Sequence, residues 1–150
     1  MRILIQRVSR ARVTTAERHD EQIGKGLLLF VGIENDDGED DAVWLAAKIA
    51  NLRIFNDDTG VMNLSLLDVD GEAMIVSQFT LHARTKKGNR PSYVDAASPE
   101  KSVPLYRFFV NRFEETLGKR CAVGVFGAMM QVELINDGPV TIMIDSKQKR

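Results

Sequence analysis

Residues 130–144 read MQVELINDGPVTIMI. Two apolar runs, MQVELI (130–135) and VTIMI (140–144), flank NDGPVT (136–141). Each run has the length and composition of a strand. Asn-Asp-Gly is a hairpin-turn signal, so the plain reading is a hairpin that reverses between 135 and 140. Pro139 complicates it. Proline has a locked φ and no N–H, and it stands where the return strand must begin to pair. One reading is a cis Gly138–Pro139 bond, a form taken by about 5–6% of X–Pro bonds. It would swing successive carbonyls to one side and offer a pocket rigid backbone oxygens. The other is a trans proline in a tight turn.

Working outward, ILIQRV (3–8) alternates with period two and reads as a strand, with Val13 in a continuation of it. GLLLFVGI (26–33) is a short continuous apolar run between glycines and reads as a buried strand. ENDDGEDD (34–41) is an acidic turn that caps a helix over 41–53, with Val43, Ala46, Ala47, Ala50 and Leu52 near one stripe. RIF (53–55), NDDTG (56–60) and MNLSLLD (62–68) predict strand, turn and strand. EAMIVSQFTL (72–81) is the strongest strand signal. Residues 82–100 form a long polar segment with four Lys/Arg, and polar links of that size are often functional. Ser98-Pro99 opens a second helix in which Leu105, Phe109, Phe113 and Leu117 recur every four residues, and Gly118 ends it. Pro104 marks a kink or a later start. AVGVF (122–126) is a further strand. Strands outnumber helices and most links are too short for parallel crossovers. The expectation is one α+β domain over 1–150, with a mostly antiparallel, sheet- or barrel-like core packed with two helices.

The 150 residues carry a net charge of −1 and a single cysteine, Cys121. That excludes an internal disulfide framework and fits a reducing, cytoplasmic setting, with Cys121 a small buried hydrophobe. MRILIQRV lacks the apolar core of a signal peptide, and no run is long enough to span a bilayer. Two histidines, His19 and His82, and one cysteine cannot build a typical structural zinc site, so no metal and no cofactor is expected. A near-neutral chain is not a general nucleic-acid binder; RNA would be met through a local patch and a specific pocket.

Three places carry chemistry. In a strand, Gln78, Thr80 and His82 share one face of SQFTL (77–81) and its neighbour, and Ser77, Phe79 and Leu81 the other. This is either a solvent-facing sheet side or a hydroxyl beside a histidine in a pocket. Lys86, Lys87 and Arg90 around Gly88 form either a solvated loop or a phosphate contact. Arg7 has the parity of Ile3 and Ile5, so it lies on the apolar face, where a charge needs a partner.

SQFTL, KKGNRPS and NDGPVT, in this order and at these distances, closely resemble the D-aminoacyl-tRNA deacylases. The likeness extends through IQRVSRARV, IGKGLLLFVGI, NLRIFND, MNLS, PLYRFFV and the ending near Asp145, and so covers essentially the whole chain. It implies a cytoplasmic homodimer that hydrolyses the ester joining a D-amino acid to the 3′-terminal adenosine of tRNA. Glycine wrongly attached to alanine tRNA would be a further substrate. No DNA or membrane partner is implied. Ser77, Gln78, Phe79 and Thr80 would form the active-site strand, with N–H groups around Phe79 and Thr80 as oxyanion donors. Gly138 and Pro139 would enter the partner subunit's pocket and reject an L side chain. Arg7 would brace that turn, Phe126 and Met130 would shape the pocket, and Lys86, Lys87 and Arg90 would meet tRNA. The substrate's 2′-hydroxyl would assist catalysis, with Thr80 as covalent nucleophile the alternative. Arg84 and Met129 depart from the family's usual Asp or Asn and Asp, and His82 from its commoner Ala or Tyr. The competing readings are a non-catalytic RNA-binding module and a Thr80-dependent small-ester hydrolase.

Overall fold

The computed structural model describes residues 1–149. In it the deciding stretch is one strand and not a hairpin. The last strand, β8 (Met130–Asp145), runs antiparallel to the first, β1 (Arg2–Thr15), along its whole length. Residues 130–136 pair with 15–8 and residues 141–145 with 6–2, so 137–140 bulge out opposite Arg7. The hairpin expectation fails because β1, at 14 residues, is long enough to hold both apolar runs. The proline without an N–H falls inside the bulge, where the ladder requires no donor.

The opposite edge of β1 is shared. Residues 11–14 pair with β2 (Asp20–Ile23), and residues 2–8 with β3 (Gly26–Gly32), both antiparallel. β3 then pairs in parallel with β6 (Glu72–Ser77), and β6 in parallel with β7 (Ala122–Val123). The sheet is therefore mixed and barrel-like, which corrects the mostly antiparallel expectation. Two long connections supply the crossovers that parallel pairing requires. The first carries helix α1 (Glu39–Ala50) and the small hairpin of β4 (Phe55–Asn56) and β5 (Met62–Leu64); the second carries helix α2 (Pro99–Leu117). β2 had no apolar signal in DEQI, and AVGVF pairs only at Ala122 and Val123.

GLLLFVG is apolar throughout because both faces of β3 are covered. Leu27, Leu29 and Val31 meet Leu45 and Ile49 of α1 and Leu105, Phe109 and Phe113 of α2. Leu28 joins Val8, Val13, Met74 and Val76 in a second core enclosed by the curl of the sheet. β1 passes from one core to the other: Ile3 and Ile5 belong to the first, Val8, Ala11 and Val13 to the second. The parity changes at the irregular register between Gln6 and Arg10.

α1 begins two residues earlier than its pattern suggested, with the Asp41 carboxylate accepting from the Gly38 N–H at 2.9 Å. Its buried stripe is Ala42, Leu45, Ala46, Ile49 and Ala50. Ala47 is exposed and Val43 and Leu52 are half-buried, against expectation. α2 runs through Pro104 unbroken and buries Leu105, Phe109 and Phe113 as expected, with Ser102 and Tyr106 beside them. Among the described residues no helix is long and apolar enough to cross a membrane.

Candidate active site

β3 and β6 run parallel and end at Gly32 and Ser77. Crevices form where crossovers leave the carboxyl ends of parallel strands. A cavity of about 320 Å³ opens there. The strand ends contribute Val31, Ile33, Val76, Ser77, Gln78 and Phe79. The link from β7 into β8 contributes Phe126 to Met130, and Val132, Ala97 and Ser102 complete the wall.

The chain leaves the ladder at this point. Gln78 N–H donates to the Val31 carbonyl at 2.7 Å, and a 3₁₀ turn over Phe79–His82 follows. Because β3 ends at Gly32, residues beyond 77 have no strand to pair with, so they bond to themselves. Leu81 N–H donates to Gln78 and Ala83 N–H to Thr80. This corrects the expectation of a strand face shared by Gln78, Thr80 and His82. The first N–H groups of such a turn have no acceptor within it. Those of Phe79 and Thr80 donate to no backbone carbonyl or side chain among the described residues. The Thr80 hydroxyl accepts from the Gln78 amide. Thr80 itself does not line the cavity, while Ser77, Gln78 and Phe79 do.

The walls are aromatic and fixed. Phe126 meets Tyr106 edge-on at 5.6 Å, and the Tyr106 hydroxyl donates to the Ile75 carbonyl at 3.0 Å. Burial pushes that phenol well above its ordinary range. Phe79 is 57% exposed and lies edge-on to Tyr93 at 5.0 Å. Tyr93, Ala97, Ser102 and the exposed Met129 carried no periodic signal that would have singled them out.

Arg7 is buried, as its parity required. Its guanidinium donates to the carbonyls of Asp137 (2.8 Å) and Ile54 (2.6 Å) and to Asn56 Oδ1 (3.3 Å). Asn136 brackets the bulge: its Oδ1 accepts from Val140 N–H at 2.8 Å and its Nδ2 donates to the Val140 carbonyl at 3.1 Å. The Gly138–Pro139 bond is cis. Neither Gly138 nor Pro139, nor Arg7, lines the cavity of the same chain.

Lys86, Lys87 and Arg90 lie on an exposed loop. Its stem is closed by a pair of backbone bonds between Arg84 and Ser92, at 2.8 and 3.0 Å. The Arg84 guanidinium clasps the Asp95 carboxylate, and their hydrogen bond raises the pKa of the arginine and lowers that of the acid.

Residues 4–145 match the model of a family described as D-Tyr-tRNA(Tyr) deacylase. The chain belongs to this family. D-aminoacyl-tRNA deacylases of Bacteroides thetaiotaomicron and Christiangramia forsetii are 58% and 59% identical to it, over 99% and 100% of both chains. Among solved structures, a chain described as c-Myc DNA Unwinding Element Binding Protein is 36% identical with a TM-score of 0.89, covering 97% of this chain and 98% of its own. A probable eukaryotic D-amino acid tRNA deacylase, 15% identical with a TM-score of 0.83, shares the fold. In this deacylase-family chain, the cavity at the ends of β3 and β6 and the bulge in β8 are the two features made by its SQFTL and NDGPVT stretches.

Proposed function

We propose that this chain hydrolyses the ester of D-aminoacyl-tRNA, releasing the D-amino acid and free tRNA. The observation that carries the reading is a pair of adjacent N–H groups with no acceptor among the described residues, that of Phe79 in the wall of an apolar cavity and that of Thr80 next to it, in a chain that matches deacylases end to end. Ester hydrolysis passes through a tetrahedral oxyanion, and preorganised N–H donors stabilise it. Phe126 and Met130 take the aminoacyl-adenosine end, and Ser77 and Gln78 orient it. The substrate's own 2′-hydroxyl supports proton transfer, since no titratable side chain lines the cavity among the described residues. His82 faces Glu34 and Gly32 and not the Thr80 hydroxyl, which disfavours a Thr80 nucleophile.

The working form is a homodimer. Among the described residues β8 pairs with β1 alone, which leaves its outer edge unpaired on both sides of the 137–140 bulge, and an edge of that kind invites pairing with a second chain. Each protomer then lends its Gly138–Pro139 bulge to the partner's cavity. Main chain held there leaves no room for an L side chain, whereas a D side chain, or the hydrogen of glycine, is accommodated. Glycine on alanine tRNA is accordingly a second substrate.

The test is incubation of purified protein with D-Tyr-tRNA and L-Tyr-tRNA, alongside sedimentation. Loss of the D ester alone, by a dimer, is expected. Persistence of both esters refutes the reading, and equal loss of both refutes the chirality gate.

A further inference from the structure

His82 ends the 3₁₀ turn and is outside the cavity wall. Its ring is enclosed, with the residue 2% exposed. Nδ1 lies 2.8 Å from Glu34 Oε1 but off the line of an aligned hydrogen bond, and neither ring nitrogen has a hydrogen-bond partner among the described residues. The ring also presses on the end of β3. A Cβ on Gly32 would stand 2.9 Å from His82 Nε2 and 3.0 Å from the Gln78 carbonyl oxygen. Arg2 holds the same turn from β1, donating to the Leu81 carbonyl at 2.8 Å, with another of its nitrogens 3.9 Å from Glu34 Oε1.

Burying an imidazole against a carboxylate without an aligned hydrogen bond is costly, and an apolar side chain would fill the space at less expense. The arrangement makes sense if the turn's position matters more than its packing energy. His82 is three residues from Phe79, and the ring's supports are rigid: Gly32 belongs to a central strand, and the Glu34 N–H is tied to Asp37 at 2.7 Å.

We propose that His82 is a positioning residue for deacylation: wedged between Gly32 and Glu34, it sets the seat of the 79–82 turn and so the aim of the Phe79 and Thr80 N–H groups. The inference rests on the reading of those groups as oxyanion donors.

The test compares His82→Leu, His82→Asn and Glu34→Gln with the wild type in deacylation of D-Tyr-tRNA, in melting temperature, and in the amide resonances of Phe79 and Thr80. A displacement near 1 Å at an oriented site can cost about 100-fold. Folded His82→Leu is expected to lose about 10- to 100-fold in kcat with little change in KM. His82→Asn, whose amide can still reach Glu34, recovers part of the loss. Glu34→Gln lowers kcat in the same manner and moves both resonances. Wild-type kcat in folded His82→Leu overturns the proposal. If that variant does not fold, wild-type kcat with unmoved resonances in Glu34→Gln overturns it instead. A wild type inert toward D-Tyr-tRNA defeats the functional reading, and the Glu34→Gln resonances still decide whether the Glu34–His82 contact seats the turn.

Discussion

The guanidinium of Arg7 donates to the Asp137 carbonyl at 2.8 Å while the same group holds the Ile54 carbonyl at 2.6 Å. One buried side chain thus fastens the β8 bulge to the segment after α1. Lysine presents a point charge and cannot match this fork. Arg7→Lys should leave the Ile54 carbonyl unpaired, at about 1–3 kcal/mol, and Arg7→Met should cost more. Both should lower Tm and deacylation together. Gly138→Ala strikes the bulge itself and leaves the Arg7 side chain in place. A Cβ there would lie 2.8 Å from Val140 N and 3.2 Å from an Arg7 nitrogen, in a bulge exposed to solvent. Gly138 also sits at φ +153°, where an L side chain is strained, so both Tm and D-Tyr-tRNA hydrolysis should fall. Wild-type activity in Gly138→Ala would detach the bulge from the chemistry.

The N–H of Phe79 can be removed without touching the rest of the turn. Phe79 is the first residue of the 3₁₀ segment, where proline is tolerated, and Gln78 before it lies outside the helical region at φ −148° and ψ 83°. Phe79→Pro should reduce kcat by about 10²–10³-fold, the cost of one oxyanion donor. Phe79→Ala controls for the ring and should lose far less. Thr80→Ala keeps its N–H and should stay close to wild type; its complete inactivation would restore the hydroxyl as nucleophile.

Much of this arrangement was legible because it is local. The parity of Arg7 with Ile3 and Ile5 placed it in the core, and Leu105, Phe109 and Phe113 announced the buried face of α2. What was not legible depends on partners distant in sequence. Asn-Asp-Gly-Pro is a hairpin signal until a 14-residue β1 is seen to hold both flanking runs. SQFTL reads as strand until Gly32 ends its neighbour and forces a turn. The stripe of α1 was misjudged because Leu45 and Ile49 are chosen by α2 and β3, not by their own spacing. Met129 joins the cavity wall and Tyr93 meets Phe79 from loops, where no period exists to reveal them.

Asp41 links α1 to the chain's end. Its carboxylate accepts from Lys147 Nζ and from the Gly38 N–H, each at 2.9 Å. Burial would raise its pKa, but the hydrogen bonds from Lys147, Ser146 and Gly38 together outweigh burial and hold it at about 2. A depressed carboxylate contributes stability above its unfolded value, near 3.8, and loses it as pH falls from there toward about 2. Asp41→Asn should therefore melt below wild type at neutral pH, with the gap closing at acid pH. A gap independent of pH would assign the loss to packing. Cys121 shifts the other way: burial pushes its thiol up to about 12. Iodoacetamide at mildly alkaline pH should label it only after unfolding.

The basic loop makes an electrostatic prediction. Lys86, Lys87 and Arg90 are exposed and have no acidic partner among the described ion pairs. The Arg84–Ser92 bonds and the Arg84–Asp95 clasp hold the stem that carries them. If they meet phosphates of the acceptor end, each contact releases counterions and steepens the salt dependence by about 0.7–0.9 in a log–log plot. Replacing all three with alanine should raise KM and flatten the plot of kcat/KM against salt by up to about two to three units, while kcat at saturating tRNA holds. Arg84→Ala, which keeps all three cations but opens the clasp, should raise KM with a smaller change in slope, because the charges remain and only their placement is lost. An unchanged slope in the triple variant would move the tRNA track to another face of the protein.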